Sequence, residues 1–314
     1  MIEPGQPESS YKPFVGLSLA TAALTLGLIV FGAIVRVTDS GLGCGNDWPL
    51  CNGSVFPPLD NINAWIEWLH RLFAMLIGLF GLVTLVVAWR QFRPSKKRIL
   101  NMTKLAAILF VIQSGLGAVV VFLDLPPTFV TLHLGVAMLL LGALIAASVM
   151  AWYRPQLTYQ ADSVRTLTFI NAVFSLLVIL TGALVRGSGA SFACTVWPLC
   201  DAGNLLPFEL GQLAIIHMIH RLAVAAMGLT VLILLRQVFK KRQERLVKQI
   251  ALAIVLVFLL QVGAGAAFVF SIAAAEWGAI HVGLAATVWG LLVVLATIES
   301  LNHQNNTNLG LNTE

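Results

Sequence analysis

The sequence predicts an all-α integral membrane protein with eight transmembrane helices, arranged as two pseudo-symmetric four-helix bundles. Of the 314 residues, 58% are hydrophobic and only 11% are charged, a balance that excludes an ordinary soluble domain. Apolar segments long enough to cross a hydrocarbon layer of about 30 Å recur along the whole chain. Because lipid offers the backbone no hydrogen-bond partners, segments of this length cross it as helices.

Eight segments meet this length requirement. The polar residues 1–13 run straight into the first full-length span, so the N-terminus does not resemble a cleaved signal peptide. Long loops follow the first and fifth spans, and basic connections follow the second, fourth and sixth. The predicted spans cover roughly residues 14–36, 63–90, 99–123, 128–152, 165–186, 213–236, 249–272 and 277–299.

The second half of the sequence repeats the first. Residues 32–51, GAIVRVTDSGLGCGNDWPLC, return at 182–200 as GALVRGSGASFACTVWPLC. Equivalent residues are separated by 150 positions in the first two spans of each half and by 148 positions later. Such a duplication predicts two equivalent bundles, which we place at residues 1–155 and 156–314.

Lys and Arg residues indicate the orientation of the chain in a cell membrane. They are concentrated before the first span and after the second, fourth and sixth spans, and all four places lie on one side. Because such residues accumulate in cytoplasmic loops, both termini are predicted to be cytoplasmic, and loops 38–62 and 188–212 to face outward. The net charge of +5 reflects this bias and does not indicate a nucleic-acid partner.

All four cysteines lie in the two outer loops. An oxidising compartment permits disulfides, and the short spacings favour one disulfide in each loop, Cys44 with Cys51 and Cys194 with Cys200. A metal-binding or redox-active thiol pair is the alternative interpretation.

Histidines at repeated positions indicate the functional sites. His70 and His133 lie on the second and fourth spans, and His220 and His281 repeat them on the sixth and eighth. A histidine inside a membrane usually marks a site, and two imidazoles facing each other in a four-helix bundle can hold a haem iron at both axial positions. The alternative is a hydrogen bond to a neighbouring helix. Zinc is disfavoured because it takes three or four protein ligands.

Four arginines lie on the outer side, against the general bias of the basic residues. Arg71 and Arg221 directly follow two of the histidines, and Arg36 and Arg186 end the first and fifth spans. We expect them to bind haem propionates; contact with lipid headgroups is the alternative.

Glu67 distinguishes the two halves. It lies three residues before His70 and so on nearly the same helix face, and its counterpart in the second half is His217. This difference predicts that one site performs chemistry while the other holds a cofactor; a carboxylate tolerated at a helix start is the alternative. Gln113 and Gln261 lie beside Gly-rich stretches and are expected to serve helix packing.

Together these features resemble the haem A synthase family of bacterial and mitochondrial membranes over nearly the whole chain. The resemblance rests on GAIVR at 32–36, the loop with Gly-Cys-Gly and Trp-Pro-Leu-Cys, IEWLHR at 66–71, His133, and their repeats. It implies a resident haem b held by His220 and His281. It also implies a substrate haem O held by His70 and His133 and a catalytic carboxylate at Glu67, with the first cysteine pair holding a cap over the substrate.

By this resemblance the reaction oxidises the C8 methyl group of haem O to a formyl group, giving haem A for terminal oxidases. Molecular oxygen or water is the implied oxygen source, and the electron donor is unknown. The lipid bilayer, haem O synthase and a second copy of the chain are the partners to consider, and nucleic acid is not. Two alternatives remain: a diheme b-type electron-transfer cytochrome linked to quinol, and a haem-delivery chaperone.

Overall fold

The computed structural model of the chain describes residues 11–93, 96–155, 159–201 and 205–309. In these ranges eight helices are long and apolar enough to span a membrane, which confirms the predicted fold class. The helices are α1 (Lys12–Val37), α2 (Ile62–Phe92), α3 (Lys97–Phe122), α4 (Pro127–Trp152), α5 (Ser163–Gly187), α6 (Gln212–Lys241), α7 (Arg245–Phe270) and α8 (Ala275–Leu309).

The helix starts follow from local sequence. Asn61 caps α2 by accepting a hydrogen bond from the backbone N–H of Ala64, 3.1 Å away, and Asp162 caps α5 in the same way. Side-chain oxygens at this position satisfy N–H groups that have no partner within the helix. Proline occupies the first turn of α1 and of α4, where its missing N–H costs nothing.

Each half forms a ring of four helices. In the first half α1 packs against α2 and α4, and α3 packs against the same two; α5, α6, α7 and α8 repeat this pattern in the second half. Consequently α2 lies diagonally across from α4, and α6 lies diagonally across from α8. The halves meet through contacts of α4 with α5 and α8 and of α1 with α8.

Helix α4 is the most buried span and α2 the least. At the centre of the molecule, the indole Nε1 of Trp289 donates a hydrogen bond to the carbonyl oxygen of Met138, 2.9 Å away. The same indole lies against Gly142, where an added Cβ would come within 3.2 Å of the ring. A glycine at this position therefore favours the close contact between α4 and α8.

The loops after α1 and α5 are closed by the predicted disulfides, which join Cys44 to Cys51 and Cys194 to Cys200. Both pairs are buried. The duplication is also visible in the backbone of the turns that precede α4 and α8. Two consecutive residues in each turn adopt positive φ without being glycine, Asp124 with Leu125 and Ile272 with Ala273, so both halves reverse direction by the same left-handed geometry.

The halves differ at the end opposite the disulfides. In the second half the buried guanidinium of Arg242 bonds both carboxylate oxygens of Glu299 at 2.5 to 3.2 Å and those of Asp162 at 2.9 and 3.0 Å. The first half has Phe92 and Ala151 at the positions equivalent to Arg242 and Glu299, both fully buried in a hydrophobic cluster. The second half thus has an ionic network at the place where the first half has an apolar cluster.

Candidate functional site

The four predicted histidines lie in two pairs, one in each bundle. His70 on α2 and His133 on α4 come from diagonally opposed helices, as do His220 on α6 and His281 on α8. The members of each pair lie close enough for direct electrostatic interaction. The structure therefore brings the residues together two by two, as the repeat predicts.

Each imidazole lies against a glycine of another helix in its own bundle. An added Cβ would lie 3.2 Å from Cε1 of the histidine at Gly32, 3.3 Å at Gly117, 3.0 Å at Gly182 and 2.8 Å at Gly265. These distances are at or below the lower limit of van der Waals contact, so a larger residue would displace the ring. The four glycines determine how deeply the histidines sit in the bundles.

Hydrogen bonds hold the two histidines of the second half. The Nδ1 atom of His220 lies 2.9 Å from the hydroxyl oxygen of Thr181. The Nδ1 atom of His281 lies 3.0 Å from the backbone carbonyl oxygen of Gln261, whose side-chain Nε2 is 3.4 Å from Nε2 of the same ring. No sequence pattern indicates that Thr181 contacts a histidine. Gln261 contacts His281 in addition to the helix packing that its sequence context predicts.

The histidines of the first half are held differently. The Nε2 atom of His133 lies 3.0 Å from Nε2 of Gln113. The Nδ1 atoms of His70 and His133 are buried and, within the described ranges, have no protein partner. The ring of Phe31 lies beside that of His70, with centroids 6.0 Å apart. Gln113 thus contacts a predicted ligand, a role beyond the helix packing that we expect from its sequence context.

Glu67 lies directly against the disulfide loop that follows α1. Its side chain is 3% exposed, and Oε2 accepts a hydrogen bond from the backbone N–H of Cys44 at 2.9 Å. The other oxygen, Oε1, pairs with the guanidinium of Arg71 one helical turn later. The Nη1 atom of Arg71 also donates to the carbonyl oxygens of Asp47 and Leu50, at 2.7 and 2.9 Å. The carboxylate, the disulfide loop and α2 therefore form one connected unit.

The second half repeats this unit with histidine in place of the carboxylate. His217 is buried, and its Nε2 lies 3.2 Å from Nη2 of Arg221. Arg221 donates to four loop carbonyls, those of Cys194, Val196, Pro198 and Leu199. Arg71 and Arg221 thus have loop partners that the sequence does not reveal, because their acceptors are backbone atoms.

Arg36 and Arg186 are neighbours at the boundary between the two halves, on the side of the molecule that carries the disulfide loops. Arg186 donates to the backbone carbonyl of Arg36 at 3.1 Å and pairs with the exposed Asp39 at 3.3 Å. The buried Nε atom of Arg36 has no protein partner in the part of the chain that the structure describes. Arg36 therefore keeps an N–H donor for an anionic ligand.

The residues present fit a pair of haem groups. Two imidazoles on diagonally opposed helices match bis-histidine ligation, and the buried Nε atom of Arg36, which has no protein partner among the described residues, fits an anionic group such as a propionate. In the described ranges no group of three or more His, Cys, Asp or Glu side chains is arranged to hold a metal ion.

The chain is similar in sequence to known proteins over most of its length. Residues 16–293 match the sequence model of COX15-CtaA, described as cytochrome oxidase assembly protein. A protein of Symbiobacterium thermophilum named heme A synthase is 35% identical over 90% of this chain and 94% of its own length. Proteins of the same name from an Exiguobacterium species and from Alkalihalophilus pseudofirmus are 31% and 30% identical, over 89% and 90% of this chain and 92% and 95% of theirs.

Proposed function

The chain belongs to the COX15-CtaA family of cytochrome oxidase assembly proteins, and on this premise we propose that it is a membrane enzyme that produces haem A. The substrate is haem O, whose C8 methyl group is oxidised to a formyl group by net loss of two hydrogen atoms and gain of one oxygen. The observation that supports this assignment best is the match to heme A synthases over nearly the whole chain.

We assign the two haem sites by the difference between the halves. The bundle within residues 1–155 takes the substrate haem O between His70 and His133, because Glu67 occurs only beside this pair. The bundle within residues 156–314 holds a resident haem b between His220 and His281. When bound, the haems supply the redox chemistry, and the chain supplies axial ligands, orientation and electrostatics.

The contacts of Glu67 support a catalytic role for its carboxylate. A buried carboxylate fixed by one backbone N–H and one guanidinium has a single orientation, three residues from the proposed substrate ligand His70. In this position it can accept or deliver the protons that the oxidation of a methyl group requires. The neighbouring disulfide loop covers the site and restricts water.

We also propose the orientation and partners of the enzyme. Both termini face the cytoplasm and the disulfide loops face outward, in accordance with the distribution of Lys and Arg. Arg36 and Arg186 then lie where outward-directed haem propionates would need cations. Molecular oxygen balances the reaction by itself, because a methyl group and O2 give a formyl group and water; with water as the oxygen source, an electron acceptor must take up four electrons. Haem O synthase and a second copy of the chain are the protein partners to test by crosslinking.

Haem analysis tests the proposed reaction. The full chain is expressed in a host that makes haem O but no haem A, and the acid-extracted haems are identified by liquid chromatography and mass spectrometry. Haem A, or its hydroxylated precursor, is expected only when the chain is present. Haem b alone would contradict the proposal and favour an electron-transfer cytochrome; unchanged haem O passed to an oxidase would favour a haem-delivery chaperone.

The resident site is tested separately. His220→Ala and His281→Ala are each expected to lose the low-spin absorption spectrum of haem b, because one axial ligand is removed. The spectrum is recorded on purified protein with the wild type as reference. Retention of the spectrum in both variants would show that these histidines do not hold the haem.

A further inference from the structure

The protonation pattern of His220 is determined by its neighbour Thr181. The hydroxyl of Thr181 donates its only proton to the carbonyl oxygen of Val178, 2.8 Å away. With that proton on the Val178 carbonyl, the Thr181 oxygen accepts the hydrogen bond from Nδ1 of His220, 2.9 Å away. The Nε2 atom of His220 then keeps its lone pair, which is the form of imidazole that binds a metal.

His281 is held in the same form by a different group. Its Nδ1 atom lies 3.0 Å from the carbonyl oxygen of Gln261, and a carbonyl oxygen can only accept. Nδ1 of His281 is consequently the donor, and Nε2 again keeps the lone pair. A hydrogen bond from the far nitrogen of a metal-binding histidine fixes both its tautomer and its ring orientation.

The first half lacks both of these hydrogen bonds. Phe31 occupies the position equivalent to Thr181 and offers no acceptor to His70. The Nδ1 atoms of His70 and His133 have no protein partner among the described residues. The rings also lie further from their glycines: a Cβ at Gly32 or Gly117 would lie 3.9 Å from Nδ1, compared with 3.6 Å at Gly182 and 3.1 Å at Gly265.

The contact between Gln113 and His133 provides an alternative partner for a released ligand. The side-chain Nε2 of Gln113 lies 3.0 Å from Nε2 of His133, whereas the equivalent distance from Gln261 to His281 is 3.4 Å. An imidazole that has left a metal needs a hydrogen bond for its exposed nitrogen. This partner is present in both halves, but only in the first half does no Nδ1 hydrogen bond oppose rotation of the ring.

We propose that Thr181 and the Gln261 carbonyl are positioning groups that keep the resident haem in place, and that their absence around His70 and His133 makes the first site exchangeable. This proposal rests on the proposed function, since it explains why one haem stays while a substrate enters and a product leaves. Thr181 acts through His220 and is not itself a catalytic residue. Loss of such a hydrogen bond typically weakens metal binding by about 10-fold to 100-fold.

Thr181→Val tests the proposal because it removes the hydroxyl while keeping the shape of the side chain. The purified full chain, loaded with haem b alone, is reduced with dithionite and exposed to carbon monoxide, and haem transfer to apomyoglobin is followed in parallel. We expect Thr181→Val to bind carbon monoxide and to lose haem b at least about tenfold faster than the wild type. Thr181→Ser, which keeps the hydroxyl, is expected to restore the wild-type behaviour.

A second variant, in the first half, tests the proposal even if Thr181→Val fails to fold. Phe31→Thr introduces an acceptor beside His70 and is expected to slow the transfer of bound haem O to apomyoglobin about tenfold, whereas the control Phe31→Leu does not. Wild-type rates in Thr181→Val, or an unchanged haem O rate in Phe31→Thr, would overturn the proposal. Because these rates are measured without turnover, they are independent of whether the wild type makes haem A.

Discussion

One position differs in chemical type between two similar units of this molecule. Glu67 and His217 occupy the same position, each pairs with the arginine four residues later, and each arginine binds carbonyls of its own disulfide loop. The scaffold around the position is therefore conserved between the halves while its chemistry differs. Both side chains can exchange a proton, but only the carboxylate can carry a negative charge.

Glu67→Gln should separate folding from catalysis. The amide oxygen can still accept the hydrogen bond from the N–H of Cys44, so we expect haem b and the folded bundle to be retained. Haem A formation should fall by about 100-fold or more, since proton transfer by a positioned group contributes about that much. Extracted haems should then contain haem O or a hydroxylated intermediate. An undiminished yield of haem A would remove Glu67 from the mechanism.

The sequence predicts the candidate functional side chains but not the atoms that each of them contacts. The histidines and Glu67 are recognisable as candidate site residues because histidine and carboxylate side chains are costly inside a membrane. The histidines and cysteines also recur in both halves, whereas Glu67 is replaced by histidine in the second half. The loop contacts of Arg71 and Arg221 are not evident, since their acceptors are main-chain carbonyls. Thr181 is equally hidden, because a threonine in a transmembrane helix is common and its importance depends on a ring from another helix.

Pairs of helices bring a glycine and a histidine into contact at four places in this protein. The contact is tightest between α7 and α8, where an added Cβ at Gly265 would come within 2.8 Å of His281. The ring of His281 cannot simply shift away from Gly265, because its Nδ1 atom is hydrogen-bonded to the carbonyl oxygen of Gln261 on the same helix as the glycine. Close packing of helices is thus coupled to the position of a proposed haem ligand.

Gly265→Ala should displace the ring of His281 and change the low-spin spectrum of haem b. Overpacking of this kind costs about 1–3 kcal/mol, so the chain should fold with a lowered Tm. Gly263→Ala is the matched control on the same helix, because nothing lies within 4 Å of a Cβ at that position. The spectrum and the Tm in detergent are compared for both variants. Equal spectra would show that the glycine contact does not position the ligand.

The helices themselves are predictable to within a few residues because their length is dictated by the thickness of the bilayer. The ends are less predictable where polar residues continue the helix. The predicted sixth span ends near residue 236, whereas α6 continues to Lys241, and α8 continues beyond residue 299 to Leu309. These extensions carry polar and charged residues, which hydropathy does not recognise as part of a transmembrane helix. The extension of α6 leads directly to Arg242.

The whole molecule is stabilised differently at the ends of its two halves. Arg242, Glu299 and Asp162 connect α6, α8 and the start of α5, while the first half uses aromatic and apolar packing at the equivalent place. Burial alone would lower the pKa of Arg242, but its hydrogen bonds to Glu299 and Asp162 raise the pKa above the ordinary value. The guanidinium is therefore a permanent positive charge at the junction of three helices.

Glu299→Gln should destabilise the second half strongly. The change leaves Arg242 with Asp162 as its remaining carboxylate partner among the described residues, so the loss of one buried charge is expected to cost up to about 3 kcal/mol. We expect a clear fall in the Tm of the purified protein, measured in detergent by differential scanning fluorimetry. Glu276→Gln, an exposed carboxylate on the same helix, is the control and should leave the Tm unchanged. Similar Tm values for both variants would refute a stabilising role for the network.

Asp162 makes this network dependent on pH. Burial raises the pKa of Asp162, but hydrogen bonds from Arg242 and from the N–H of Arg165 outweigh that effect and lower the pKa below its ordinary value. A lowered pKa contributes stability that is fully present above the unfolded value of about 3.9 and is lost as pH falls through the folded value. The Tm difference between the wild type and Asp162→Asn should therefore be constant above pH 5 and shrink below about pH 4. A difference that persists undiminished at low pH would contradict this assignment.

Joining both bundles in one polypeptide has a genetic consequence. In a symmetric pair of identical subunits, every codon change appears twice, so an alteration that improves one site is imposed on the other. Here the codons for Glu67 and His217, for Phe31 and Thr181, and for Phe92 and Arg242 are separate. Mutation and selection can therefore act on one haem site without altering its twin.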